Sequence, residues 1–196
     1  MSSDLKALLR AFIDDIIIHM KKANLLWIDL EMTGLDPVRD RVLEVGAIAT
    51  DWNLNEIARF SAVVKVSPRF AKKRMTGDFW EENAKVRGEL LRQNLEKGED
   101  AQKVEEKFLD FLNKNFVQNE SIYLAGNSIH QDQKFIERQW PQLNSRLHYR
   151  QLDVSSWKII MEQRGVKFIK PEQHRAMDDI EGSIEELKFY LKRIKK

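Results

Sequence analysis

Asp29 and Glu31 stand two residues apart at the end of the apolar run Leu25-Leu26-Trp27-Ile28. Side chains alternate along a strand, so both carboxylates fall on one face, with Ile28 and Leu30 on the other. Two bare carboxylates side by side repel each other. Two arrangements relieve that repulsion: an exposed edge strand, where water screens the pair, or a bound divalent cation, which cancels it. Further candidates lie downstream. Asp132 follows Gly126-Asn127-Ser128-Ile129-His130-Gln131 near a helix start, and Asp178-Asp179 follow His174 within five residues. Singly these have ordinary explanations, since an acid in the first turn complements the helix dipole and a lone histidine caps a helix or sits on the surface. As a set, carboxylates of this kind hold hard cations through oxygen, and a neutral imidazole takes a proton from water near neutral pH.

The elements that must position them read as follows. Residues 25–30 form a buried strand, Thr33-Gly34-Leu35-Asp36-Pro37 a turn, residues 41–50 a second strand and residues 56–66 a third. Short turns between them predict an antiparallel meander. From residue 67 the pattern becomes helical, and Lys65, Arg69, Lys72, Lys73 and Arg74 run with no acid between them. Helical periodicity covers 78–95 and 101–115, a short strand 121–125, and a helix 131–139 ended by Pro141. A last strand over 149–154, a helix over 155–163 and a closing helix over 176–192 complete the chain. The expectation is an α/β fold, a mixed sheet with helices on its faces. Ahead of it, Leu5, Leu8, Leu9, Phe12, Ile13, Ile16, Ile17 and Met20 recur at helical spacing. They predict an extra N-terminal amphipathic helix whose stripe docks on the body, on a second subunit or on a membrane surface. Two segments result: a helical extension over 1–23 and one domain over 24–196.

Composition narrows the chemistry. The 196 residues suit one ordinary domain, and 33 Lys+Arg against 31 Asp+Glu leave a net charge of +2, so nucleic-acid affinity must come from local patches. The absence of cysteine excludes disulfides, thiolate metal sites and cysteine nucleophiles. Asp14 and Asp15 interrupt the first apolar stretch, which argues against a secretory leader. The expected location is the cytoplasm, with no membrane partner.

Four blocks in order carry a resemblance. They are Trp27-Ile28-Asp29-Leu30-Glu31-Met32-Thr33-Gly34-Leu35-Asp36, Gly126-Asn127-Ser128-Ile129 with Gln131-Asp132, the run from His148-Tyr149-Arg150 to Leu152-Asp153-Val154-Ser155, and His174 with Ala176-Met177-Asp178-Asp179-Ile180. From about residue 24 to its end the chain resembles the DEDDh 3′-to-5′ exonucleases, and within them the oligoribonuclease family. The resemblance implies a ribonuclease H-like fold. It implies that Asp29, Glu31, Asp132 and Asp179 bind two Mg²⁺ or Mn²⁺ ions, with His174 as general base. Asp178 does not match the His-x4-Asp spacing. The resemblance further implies that Leu35 wedges between two bases and Trp80 stacks on one. Ser128, Arg150 and Ser155 would hold the 5′ phosphate of a dinucleotide, and Tyr149 would reach the partner's site in a homodimer. The implied activity is hydrolysis of very short single-stranded RNA to nucleoside 5′-monophosphates. An exonuclease of the same fold acting on long DNA or RNA ends is the alternative. A noncatalytic RNA-binding module would have shed carboxylates that are all present here. The chain departs from the family pattern at Lys85, where a histidine is usual, and at Gly88-Glu89-Leu90, where Ser-Gly-Leu is usual.

Overall fold

The computed structural model describes residues 22–169 and 175–194. The helix expected over 5–20 and the expected base His174 lie outside the described residues. In chain order come β1 (Leu25–Met32), β2 (Val42–Thr50), β3 (Glu56–Val63), α1 (Pro68–Arg74), α2 (Asp78–Glu82), α3 (Ala84–Lys97), α4 (Ala101–Asn115), β4 (Ile122–Gly126), α5 (His130–Gln139), α6 (Pro141–Asn144), β5 (Leu147–Asp153), α7 (Val154–Gln163) and α8 (Ala176–Ile194). The strands order as β3-β2-β1-β4-β5. The β1–β2 and β2–β3 pairs are antiparallel, as the short turns required, and the helical crossovers make β1–β4 and β4–β5 parallel.

β1 is therefore the central strand, and the edge-strand explanation of Asp29 and Glu31 falls. Its alternation divides two cores. Leu26, Ile28 and Leu30 pack with Phe108 and Leu112 of α4 and with Phe135 and Ile136 of α5. Leu25 and Trp27 face the other way, against Val154 of α7 and Ile180, Ile184, Leu187 and Tyr190 of α8. With a side-chain period of two, Asp29 and Glu31 continue the second face, under α8. A third cluster of Leu43, Val66, Ala71, Met75, Trp80 and Leu90 seats α1, α2 and α3.

Two boundaries differ most from expectation. The third strand stops at Val63, short of the expected 66, while the helical pattern expected from residue 67 is α1, opened by Pro68. The helix expected over 78–95 is broken at Asn83, whose backbone N–H and side-chain Nδ2 both donate to Phe79 O, at 3.0 and 2.9 Å. The first is an ordinary helical bond; the second, from the side chain, competes with helix continuation. Pro141 ends α5 as expected and also starts the four-residue α6, where a missing N–H is no loss. Among the described residues no helix is long and apolar enough to cross a membrane.

Candidate functional site

Carboxylate oxygens of Asp29, Glu31 and Asp179 lie within 4.8 Å of one another, each side chain only partly buried. β1 supplies the first two and the opening turns of α8 the third; Asp178, one residue earlier, is exposed. Asp132, in the first turn of α5, is not in that set. It is buried, and its Oδ1 accepts the Leu30 backbone N–H at 3.0 Å, which fixes it against β1 between the two strand acids. Burial pushes Glu31 up to about 8, helped by the charges of Asp179 and Glu44, while Arg175 pulls it down and Asp132 adds a further push. Burial also raises Asp132 to about 7, against the downward pull of its backbone hydrogen bonds. Acids gathered at such cost, all with hard oxygen donors, fit a small divalent cation, which would hold them ionised.

Gly46 explains how α8 comes so close. It pairs with Asp29 across the β1–β2 ladder. A Cβ at Gly46 would stand 3.0 Å from Ala176 Cβ and 3.1 Å from Ile180 Cδ1. Its bare backbone lets the first turn of α8 settle on the sheet and bring Asp179 over β1. The signal was legible in principle, since a glycine inside a buried strand often marks a close approach. Gly46→Val should lower stability by roughly 1–3 kcal/mol through overpacking, and should shrink the rise in melting temperature that Mg²⁺ gives the native chain. Melts with Mg²⁺ and with chelator check this; an unchanged Mg²⁺ response would show that α8 does not depend on Gly46 for its position. The approach is also clamped by charge. Arg175, beside Ala176, bonds Glu44 at 3.1 and 3.2 Å and Gln93 at 3.1 Å, with Glu44 paired to Glu31 across the ladder.

Beside Glu31 opens a cavity of about 300 Å³ lined by the turn after β1 (Thr33, Gly34, Leu35) and by Arg74, Thr76, Phe79 and Trp80. Asp40 organises the turn. Its buried carboxylate accepts from Thr33 Oγ1 at 3.0 Å, the Asp36 N–H at 3.0 Å and Arg74 at 2.7 and 3.1 Å. Burial raises Asp40, but the bonds from Arg74, Asp36 and Thr33 outweigh it and hold the acid below its ordinary value. A Cβ at Gly34 would lie 2.6 Å from Asp40 Oδ2, so glycine is required there. Gln131 Nε2 ties Leu35 O at 2.7 Å. Leu35 is thereby held out at 73% exposure, whereas Trp80 is 7% exposed and sits largely in the third core cluster. The exposed aromatic on this rim is Phe79, which the sequence reading passed over.

Just beyond β4, Ser128 takes a left-handed φ of 51° at the start of α5. Its N–H donates to Asp153 Oδ1 at 3.0 Å and to Ser155 Oγ at 2.9 Å, and the two hydroxyls lie 3.2 Å apart. Asp153 also caps α7 by accepting from Ser155 N–H at 2.9 Å. Two hydroxyls at the N-terminus of α7 suit a phosphate oxygen. Arg150 is exposed on β5 with its guanidinium 5.2 Å over the ring of Tyr149, which is 75% exposed.

The RNase_T exonuclease family model matches residues 26–187. An oligoribonuclease of Coxiella burnetii is 40% identical over 172 residues, 85% of this chain and 92% of that protein. One from Legionella pneumophila (strain Corby) is 38% identical over 173 residues, covering 85% and 90%. One from Neisseria meningitidis serogroup B is 36% identical over 173 residues, covering 86% and 91%. Among solved structures, Escherichia coli exonuclease I bound to a 5cy-dT13 oligonucleotide superposes with a TM-score of 0.61 at 15% identity. It covers 88% of this chain but 41% of that one, a likeness of fold over about two fifths of the larger protein. With its acidic cluster on the central strand and such identity across nearly the full length of these relatives, the chain belongs to the oligoribonuclease family of exonucleases.

Proposed function

We propose that the chain is a 3′-to-5′ exoribonuclease that hydrolyses very short oligoribonucleotides, dinucleotides above all, to nucleoside 5′-monophosphates. The observation that carries this reading is the cluster of Asp29, Glu31 and Asp179 beside the base-sized cavity. Asp29, Glu31, Asp132 and Asp179 would hold two Mg²⁺ or Mn²⁺ ions, which when bound would offset phosphate charge and acidify a water. His174 accepts the proton of the water that attacks phosphorus, and the bond to the 3′ oxygen of the preceding nucleotide breaks. Leu35 and Trp80 align the bases. Ser128, Ser155 and Arg150 hold the 5′ phosphate, Arg150 through its planar fork, so that a strand longer than two nucleotides meets a wall there. Tyr149 projects into the site of a second copy, which makes the working form a cytoplasmic homodimer. The extension over 1–23 precedes the exonuclease domain over 24–196.

The test is a 5′-phosphorylated RNA dimer and 7-mer, each with Mg²⁺ and with chelator. Fast cleavage of the dimer that chelator abolishes, with slower loss of the 7-mer, is the expected outcome. Equal rates on both lengths would discard the phosphate wall and favour an exonuclease of long ends. No cleavage of either, with Mn²⁺ also tried, would overturn the nuclease reading.

A further inference from the structure

Phe79 stands in an unusual place for a phenylalanine. It is 52% exposed on the five-residue helix α2, while its neighbour Trp80 carries that helix into the core. The two rings meet edge-on, with centroids 5.0 Å apart and planes at 76°. Trp80, gripped by Leu43, Val66, Ala71, Met75 and Leu90, therefore anchors Phe79 from behind. Opposite, Leu35 is exposed on a turn that Asp40, Arg74 and Gln131 make rigid. Two apolar side chains on one cavity would ordinarily close on each other to shed water. Here each is held by its own scaffold, and about 300 Å³ stays open between them, with Glu31 on its wall. A flat apolar solute with polar edges fits such a space better than a sugar or a phosphate does. Every nucleobase has that form.

We propose that Phe79 is the stacking wall for the base of the terminal nucleotide, the one released, and that it sets a preference for purines at that position. This inference rests on the exonuclease reading for its substrate but not for its geometry. The serines follow β4 and β5, on the side of β1 away from β2, so a 3′-terminal base in the cavity leaves the 5′ phosphate to them. A purine covers more of a phenyl face than a pyrimidine does, so the larger base gains more.

The experiment has two arms on the full-length chain. In the first, pApA and pApC are turned over by the native chain and by Phe79→Ala, Phe79→Leu and Phe79→Tyr. Phe79→Ala should raise KM for pApA about 5- to 140-fold, the cost of one base–aromatic stack. The rise should be smaller for pApC, and kcat should hold. Phe79→Leu should resemble Phe79→Ala because it restores bulk without a π face, and Phe79→Tyr should restore native KM. In the second arm, AMP and CMP binding is measured by calorimetry with Mg²⁺ present. Phe79→Ala should weaken AMP more than CMP. The rise in melting temperature on adding Mg²⁺ should match the native chain in each variant, which reports an intact acid cluster. Equal AMP affinity in the native chain and Phe79→Ala would overturn the proposal even if dinucleotides are cleaved. A native chain that binds AMP through Phe79 yet cleaves no dinucleotide would uphold the base pocket and overturn the exonuclease reading instead. Weakening of both nucleotides by the same factor would overturn the purine preference, and failure of Phe79→Tyr to restore KM would reduce Phe79 to a packing role.

Discussion

Asp29→Asn should lower kcat on a dinucleotide by about 10³-fold or more, while the chain still folds. The magnitude follows from losing a cation that contributes several kcal/mol of transition-state charge stabilisation, at about 1.4 kcal/mol per factor of ten. The substitution keeps the shape of the side chain and removes one negative charge from a set whose oxygens lie within 4.8 Å. In chelator the variant should melt at a higher temperature than the native chain, because like-charge repulsion on the central strand is relieved. In Mg²⁺ the order should reverse, since only the native chain gains binding free energy. Rates and melts on one preparation therefore separate a damaged fold from a damaged site. Native turnover in Asp29→Asn would remove Asp29 from the reaction. Lower melting temperatures in both conditions would mean that its role on β1 is structural.

How much of this was legible beforehand depends on the range of the cause. Asp29 and Glu31 announced themselves because an apolar strand has no reason to carry two acids on one face. The preference for Asp179 over Asp178 came with the family resemblance and its His-x4-Asp spacing, and Asp179 is the one that meets Asp29 and Glu31. What could not be read is what lies across from what. Gly46 hints at a close approach but does not say of what, until α8 is seen so near that a Cβ there would stand 3.0 Å from Ala176 Cβ. Glu44 and Arg175 are 131 residues apart, and nothing local pairs them. Phe79 and Trp80 are adjacent aromatics of similar hydrophobicity, so only the packing of α2 decides which enters the core. The break at Asn83 turned on one side-chain bond that competes with the helix, and hydrophobic periodicity does not register such a bond.

The electrostatics of the acid set make the second large effect a matter of pH. Glu31, ordinarily near 4.5, is pushed to about 8 by burial and by Asp179 and Glu44, and Asp132 is raised by burial to about 7. An acid whose value is higher in the folded chain holds a proton that the unfolded chain releases. Unfolding then sheds protons between about pH 4 and 8, and the metal-free fold loses stability as pH rises through that window, by about 1.4 kcal/mol per pH unit for each acid that is protonated in the fold and ionised in the unfolded chain. Asp40, whose value is lowered by Arg74 despite its burial, acts in the opposite sense. Its contribution fades only when pH falls below the ordinary carboxylate range, outside that window. A bound divalent cation keeps Glu31 and Asp132 ionised and removes the decline, so its apparent affinity should climb with pH up to about 8. Melting temperatures from pH 5 to 8.5 should therefore fall in chelator and stay nearly level in Mg²⁺, the two curves parting as pH rises. Glu31→Gln, which cannot ionise, should make the chelator curve shallower, leaving only the part due to Asp132, and should lose most of the Mg²⁺ response. Curves that run parallel with and without Mg²⁺ would dissociate these two acids from the cation site, because no ion that binds their ionised forms can leave the slope unchanged.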